Sequence, residues 1–228
     1  MYYFYSQNIS KDMIVLEDQE RLHCVKVLRK KIGDNIYVVD GLGNLFYTEI
    51  VNILSKECHL KILSSESIQK KIKVHLVISP TKNHKRIDWM IEKIVEIGVE
   101  RVTFLICKNS IRKNINLARL NKIALSAMKQ TQNAFLPQID DCMSFEDIFS
   151  IVSSKEKYIA HLNRKDTLHL SSVLEHQNSR CILIGPEGDF TEKEVTDAVD
   201  NGFKEVSLGS SRLRTETSGI VSTTILNL

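Results

Sequence analysis

Apolar positions along the 228-residue chain follow two different rhythms, and the change falls near residue 70. Before it, short apolar or alternating runs at 13–16, 35–40, 45–54 and 58–63 predict strands, while 17–29 predicts a single helix with Leu22, Val25 and Leu28 on one face. Asp40-Gly41-Leu42-Gly43-Asn44 carries the glycines and asparagine that a tight reversal between strands needs. Such a set predicts a small β-barrel. The polar stretch 64–73 has no apolar periodicity and predicts a linker, dividing the chain into domains 1–72 and 73–228.

After the linker, strands and helices alternate. An aliphatic run at 74–78 is followed by Ile87, Met90, Ile91, Ile94 and Val95, which share one helix face, and Gly98 ends that helix. A strand at 102–106 precedes a helix over 116–131, with Asn116 as cap and Leu117, Leu120, Ala124, Ala127 and Met128 turned inward. Ser144 and Asp147 suggest another helix start, and 157–162 and 180–185 read as strands. Thr191 and Glu194 form a capping box, with Phe190 stapling onto Val195. Gly202 caps that helix, 205–209 is a last short strand, and the chain runs into a C-terminal helix. This alternation predicts an α/β fold with a largely parallel sheet covered by helices.

Composition narrows the class. A hydrophobic fraction of 43% with 26% charged residues is that of an ordinary globular protein, and no stretch approaches the roughly 20 apolar residues of a membrane span. The first ten residues lack the pattern of a signal peptide, and five singly scattered cysteines fit a reducing compartment, so a cytoplasmic location is expected. Neither the phosphate-binding Gly-x-x-x-x-Gly-Lys-Ser/Thr loop, the Gly-x-Gly-x-x-Gly fingerprint nor the Gly-x-Ser-x-Gly elbow occurs. The seven histidines show no metal-ligand spacing, so no metal site is expected.

Two loops remain that each follow a strand: Gly185-Pro186-Glu187-Gly188 and the stretch 208–219. In open parallel sheets, ligands gather at the carboxyl ends of strands. Gly-Pro-Glu-Gly alone is compatible with a simple turn. The second loop groups Arg212, Arg214 and Glu216 among hydroxyls, which is expensive to bury and hard to justify as a connection.

The stretch 182–194, Ile-Leu-Ile-Gly-Pro-Glu-Gly-Asp-Phe-Thr-Glu-Lys-Glu, followed by 208–217, Leu-Gly-Ser-Ser-Arg-Leu-Arg-Thr-Glu-Thr, resembles the paired motifs of the RsmE-like family. These are 16S ribosomal RNA uridine N3-methyltransferases of the SPOUT superfamily. Residues 89–99 and 23–29 resemble two further motifs, so the likeness covers essentially the whole chain. It implies an N-terminal PUA-like β-barrel that binds RNA, and a C-terminal α/β trefoil-knot methyltransferase domain. It also implies S-adenosylmethionine as cofactor, the small ribosomal subunit as partner, and a homodimer paired through the knotted region. The cofactor residues carried over are Leu162, Ile184, Gly185, Pro186, Glu187 and Gly188 on one side, and Leu208, Gly209, Ser210, Leu213, Thr215 and Thr217 on the other.

Methyl transfer needs no nucleophilic side chain, only a donor and an acceptor nitrogen held in line. Uridine N3 carries a proton, so Arg214 is the candidate to steady the developing anion, and Glu216 the candidate to orient Arg214 or accept the proton. An Arg214–Glu216 ion pair that merely fixes the loop is the competing expectation. For RNA contact the candidates are His23, Lys26, Arg29 and Lys30, then Lys82 and Arg86 in a second basic group, and Gln130. The chain departs from the family where Glu-Gln-x-x-Arg is common, having Lys129, Gln130 and Asn133, where glycine is usual, having Asp189, and where arginine is usual, having Ser211. Two alternatives stay open: a related methyltransferase acting on another RNA atom such as a ribose 2′-hydroxyl, and a non-catalytic RNA-binding or ribosome-assembly factor.

Overall fold

The computed structural model describes residues 2–162, 167–175 and 177–228, so His176, one of the seven histidines, lies outside the described residues. The chain forms two compact units, one of residues 1–70 with 128–136, the other of 71–127 with 137–228. The sequence boundary at 72/73 cut the chain once. In the structure, segment 128–136 belongs with the first unit.

The first unit is a five-stranded sheet in the order β1 (Tyr3–Tyr5), β3 (Asn35–Val39), β4 (Asn44–Ile53), β5 (Glu57–Ser67), β2 (Met13–Glu17). All its pairings are antiparallel except β1 with β3. Alternation along β2 sends Ile14 and Leu16 inward to meet Phe4, Ile36, Val38, Ile50 and Leu60 in one core. The linker expected at 64–73 is shorter than its polarity suggested, because β5 continues to Ser67 and pairs Asn44 with Ser67. That end of the ribbon is solvated on both faces, so it needs no apolar alternation.

The helix expected over 17–29 is also broken. α1 (Asp18–Leu22) passes into a wider π turn over His23–Val27, marked by Leu28 N–H donating to the His23 carbonyl at 2.9 Å. The extra residue per turn rotates the register. Cys24 enters the core, while Leu22 and Leu28 are 42% and 39% exposed. The Asp40–Asn44 reversal forms as expected, and Gly43 explains itself: with φ +102, its backbone suits glycine, and an added Cβ would lie 2.6 Å from the Phe135 ring.

The second unit is a six-stranded, wholly parallel sheet, β11 (Lys204–Val206), β9 (Glu156–Ala160), β10 (Ser179–Ile184), β6 (Lys73–Ile78), β7 (Arg101–Ile106), β8 (Gln138–Ser144). Successive side chains point to opposite faces. On one face Val77, Leu105, Ile159, Cys181 and Leu183 pack with Phe145, Phe190, Val195 and Phe203. On the other, α2 (His84–Ile97) packs with α6 (Thr215–Leu226). An added Cβ on Gly219 of α6 would lie 2.8 Å from Ile78 Cδ1 and 3.0 Å from Met90 Sδ, so this glycine sets how closely helix and sheet approach. α3 (Leu117–Gln130) is capped by Asn116, whose Oδ1 accepts the Arg119 N–H at 3.0 Å. The expected helix after Ser144 is only a four-residue turn, α4 (Ile148–Ile151), and α5 (Glu192–Asp200) carries the capping box. Strand β8 had no sequence signal: it lies at the sheet edge, and only Ile139 in it is fully buried.

Candidate active site

Strand β10 ends at Ile184, and the next five residues form a loop held from four directions. Asp189 N–H closes a turn onto the Pro186 carbonyl at 3.0 Å. Asn109, from the loop after β7, donates to the Gly188 and Asp189 carbonyls at 3.2 and 3.0 Å. Glu187 accepts the Lys82 backbone N–H at 2.9 Å. Asp189 accepts the Leu162 N–H at 2.9 Å and the Phe190 N–H at 2.8 Å, tying this loop to the end of β9. Gly185 packs closely, since an added Cβ would sit 3.1 Å from the Phe190 ring. Below the loop, Glu194 completes the cap of α5 and accepts the Lys108 N–H at 2.8 Å.

The second loop runs from β11 to α6. Ser207 Oγ accepts the Gly209 N–H at 3.1 Å, and Gly209 takes φ +126 with no atom within 4 Å of where a side chain would start. Thr215 donates from Oγ1 to the Gly185 carbonyl at 3.3 Å, fastening the two loops together. Between them lies a cavity of about 320 Å³ at the carboxyl ends of β9, β10 and β11. A second hollow, which His161, Leu162, Ser207, Gly209, Ser211 and Arg212 also line, adjoins it and adds Thr167, His169 and Ser210.

Glu216, in the first turn of α6, lines the main cavity with its side chain 6% exposed. Its partner is Arg86 of α2, Nε to Oε1 at 3.5 Å, so the expected Arg214–Glu216 pair does not form. Glu216 Oε2 is buried without a hydrogen-bond partner, an arrangement that costs about 1–3 kcal/mol unless something supplies a donor. Arg214 lines the same cavity, is exposed, and makes no side-chain ion pair among the described residues.

Of the residues carried over as cofactor contacts, Leu162, Ile184, Gly185, Pro186, Glu187, Leu208, Gly209, Leu213 and Thr215 line this one cavity. Ser210 lines only the adjoining hollow, and Gly188 and Thr217 line neither; Gly188 instead faces Asn109, whose Cβ a side chain would meet at 3.2 Å. Lining residues that sequence reasoning did not single out include Ala160, His161, Ser207 and Ser218, and Asp189, noted only as a departure from the family, lines it too. Position along the strand ends was the available signal for the first two, since both close β9.

The basic residues proposed for RNA separate. Arg86 belongs to the cavity. Lys82 is exposed beside it, with its backbone on Glu187. In the first unit, Lys26 and Arg29 are exposed, His23 lies against the Tyr2 and Phe4 rings, and Gln130 is exposed at the end of α3. Among the described residues no group of three or more His, Cys, Asp or Glu side chains is placed to hold a metal ion, and no helix is long and apolar enough to cross a membrane.

A parallel sheet with a cavity at its carboxyl edge, following a small five-stranded sheet, is an arrangement that binds a ligand at its strand ends, and two family models give its class as RNA methyltransferase. The RNA methyltransferase domain model matches residues 68–227, and the RNA methyltransferase PUA domain model matches 16–63. Ribosomal RNA small subunit methyltransferase E of Buchnera aphidicola (subsp. Acyrthosiphon pisum) is 31% identical over 220 residues, 92% of this chain and 86% of that protein. The probable rRNA-methyltransferase of Porphyromonas gingivalis has a TM-score of 0.91 and 37% identity, covering 98% of this chain and 95% of that one. Ribosomal RNA small subunit methyltransferase E from Neisseria gonorrhoeae, solved bound to S-adenosyl methionine, has a TM-score of 0.84 and 27% identity, covering 98% and 95%. This chain belongs to the ribosomal RNA small subunit methyltransferase E family.

Proposed function

We propose that the protein transfers a methyl group from S-adenosylmethionine to N3 of a uridine in 16S ribosomal RNA, acting as a homodimer in the cytoplasm. The observation that carries this reading is the meeting of two loops, distant in sequence, around one cavity that holds a buried carboxylate with a free oxygen. The residues present fit the cofactor. The cavity's volume is within the range of small-ligand sites, roughly 300–1,000 Å³, and Gly185 and Gly209 bring bare backbone to its walls. Leu162, Leu208 and Leu213 supply apolar surface for a heterocycle, while backbone groups of 185–187 and 207–209 supply polar contacts.

When bound, S-adenosylmethionine supplies an electrophilic methyl group. The chain's own work is to place the acceptor and manage its proton. Arg214 is unpaired at the cavity edge, free to face the negative charge that grows on a uracil ring as N3 loses its proton. Glu216 is the acceptor for the N–H of that ring, with Arg86 holding Oε1 and a shift of the side chain turning the buried Oε2 toward the cavity. Methyl transfer requires no nucleophile of the serines, Thr215 or His161 that also line the cavity.

Calorimetric titration with S-adenosylmethionine tests the cofactor half, beside a Leu208→Trp variant that fills the cavity from its half-buried wall. Binding by the wild type that the variant loses supports the reading, and retained binding in the variant overturns the placement. Nucleoside analysis of small-subunit RNA methylated by the protein then distinguishes N3-methyluridine from a 2′-O-methylated product.

A further inference from the structure

A second, separate cavity of about 220 Å³ lies between the start of α2 and the segment leading into α3. Its floor is Ile87 and Leu120, both buried, with Ile115 on the wall. Two guanidinium groups flank it, and both are fixed in place. Arg112 donates from Nε to the Thr81 carbonyl at 3.1 Å and from Nη2 to the Lys82 carbonyl at 2.8 Å. Arg119 grips both oxygens of Asp88 at 3.2 and 2.6 Å. The charge of Arg119 is thereby answered, whereas Arg112 bonds only to carbonyls and keeps its positive charge without a carboxylate partner among the described residues. His84 lines the cavity and is exposed, and Lys82, Lys85 and Lys113, close to lining residues in sequence, are exposed as well.

This hollow is next to the first. The carbonyl of Lys82 takes Arg112, and the N–H of the same residue goes to Glu187 of the active-site cavity. On α2, Arg86 belongs to the active-site cavity, while His84, Ile87 and Asp88 belong to the second. The two cavities therefore share the Lys82 segment and the first turn of α2.

We infer that the second cavity is a subsite for a single unpaired RNA base flanking the methylated nucleotide. The inference rests on the proposed RNA-methyltransferase activity. An apolar floor between rigid guanidinium planes is the arrangement on which a nucleobase stacks, and an unneutralised arginine beside it suits the adjoining phosphate. The volume is below that of typical sites for larger ligands, roughly 300 Å³ upward, and accommodates one heterocycle. Asn116 and His84 at the rim offer polar groups to its edge.

The test uses the full-length protein, small ribosomal subunits lacking the modification, and two variants, Ile115→Trp to fill the hollow and Arg119→Gln to remove one plane. Transfer kinetics give kcat and KM for the subunit, calorimetry gives the affinity for S-adenosylmethionine, and sedimentation gives the assembly state. Loss of one stacked base corresponds to roughly a 5- to 150-fold change, so the subunit KM is expected to rise about ten-fold in each variant, with kcat and cofactor affinity unchanged. Unchanged KM in both variants overturns the inference. A matching loss of cofactor affinity also overturns it, because the hollow then serves the first site, and a change of assembly state overturns it in favour of a surface covered by a second copy. Wild-type protein that transfers nothing to the subunits defeats the underlying activity instead, and the inference falls with it.

Discussion

Arg86 and Glu216 belong to helices from opposite ends of the methyltransferase unit, and they meet at 3.5 Å inside the cavity. The carboxylate is almost wholly buried while the guanidinium side chain is 40% exposed, so the two residues bear the cost of desolvation unequally. Removing one member of a buried pair costs about 3–5 kcal/mol, and the exposure of Arg86 reduces that here. Arg86→Met is therefore expected to lower the melting temperature as well as activity. Adding Glu216→Gln to Arg86→Met should recover most of the stability and none of the activity. Thermal unfolding and methyl-transfer assays on the single and double variants check this, and a double variant with restored activity would defeat the role given to Glu216.

Arg214 should separate stability from catalysis more cleanly. It is exposed and has no side-chain partner among the described residues, so Arg214→Ala is expected to leave unfolding within about 0.5 kcal/mol of wild type. Loss of one charge-stabilising donor typically costs about 10²- to 10³-fold in kcat. A variant that transfers methyl groups at the wild-type rate contradicts the assignment.

Asp189 stands in a left-handed conformation, φ +62, that favours glycine, yet its carboxylate accepts the Leu162 and Phe190 N–H groups. Asp189→Gly relieves a backbone strain of about 1 kcal/mol and loses two hydrogen bonds worth about 0.5–1.5 kcal/mol each. Net stability should fall by about 0–2 kcal/mol. Leu162, released from the loop, no longer holds the cavity wall, so the dissociation constant for S-adenosylmethionine is expected to rise about ten-fold by calorimetry, with Asp189→Asn intermediate. Equal cofactor affinity in all three proteins rules out that role.

His75 is buried between β10 and β7, and its Nε2 lies 2.8 Å from Thr103 Oγ1. Thr103 donates its own proton to Asp140, so it accepts from His75, which fixes the neutral Nε2–H tautomer. Burial, aided by the Arg101 charge, pushes the His75 pKa down to about 4. Burial alone would raise Asp140, but hydrogen bonds from Arg101, Thr103 and Gln138 hold it below its ordinary value. A histidine with a depressed folded-state pKa takes up its proton more readily when unfolded, so its contribution is complete above about pH 6.5 and is lost as pH falls toward 4. His75→Gln should flatten stability between those limits, by an amount on the order of 3 kcal/mol at pH 4. Urea titrations at pH 7, 5.5 and 4 measure it; an unchanged slope for the variant excludes His75 as the source.

The parallel sheet was legible because its central strands are buried on both faces and therefore read as aliphatic runs, as at Val74–Ile78 and Cys181–Ile184. Edge strand β8 was not, since little of it is covered. The π turn at His23–Val27 was hidden because its residues satisfy a normal helical pattern, and only the bond from Leu28 to His23 reveals the extra residue. At the site, the two loops announced themselves through glycine and charge. Arg86 did not declare its partner, because the pair is made by packing α2 beside α6, a relation that no local spacing encodes.

Gly219 lets α6 seat closely on β6, and the first turn of that helix supplies Thr215 and Glu216 to the cavity. In synthesis order these residues come after every strand of the sheet. A polypeptide interrupted before residue 215 therefore carries every strand segment but lacks both one wall of the cavity and the helix that packs on β6, β10 and α2. Leu76, Ile78 and Met90 would lose their cover in such a fragment, so premature termination here is expected to cost the fold together with the site.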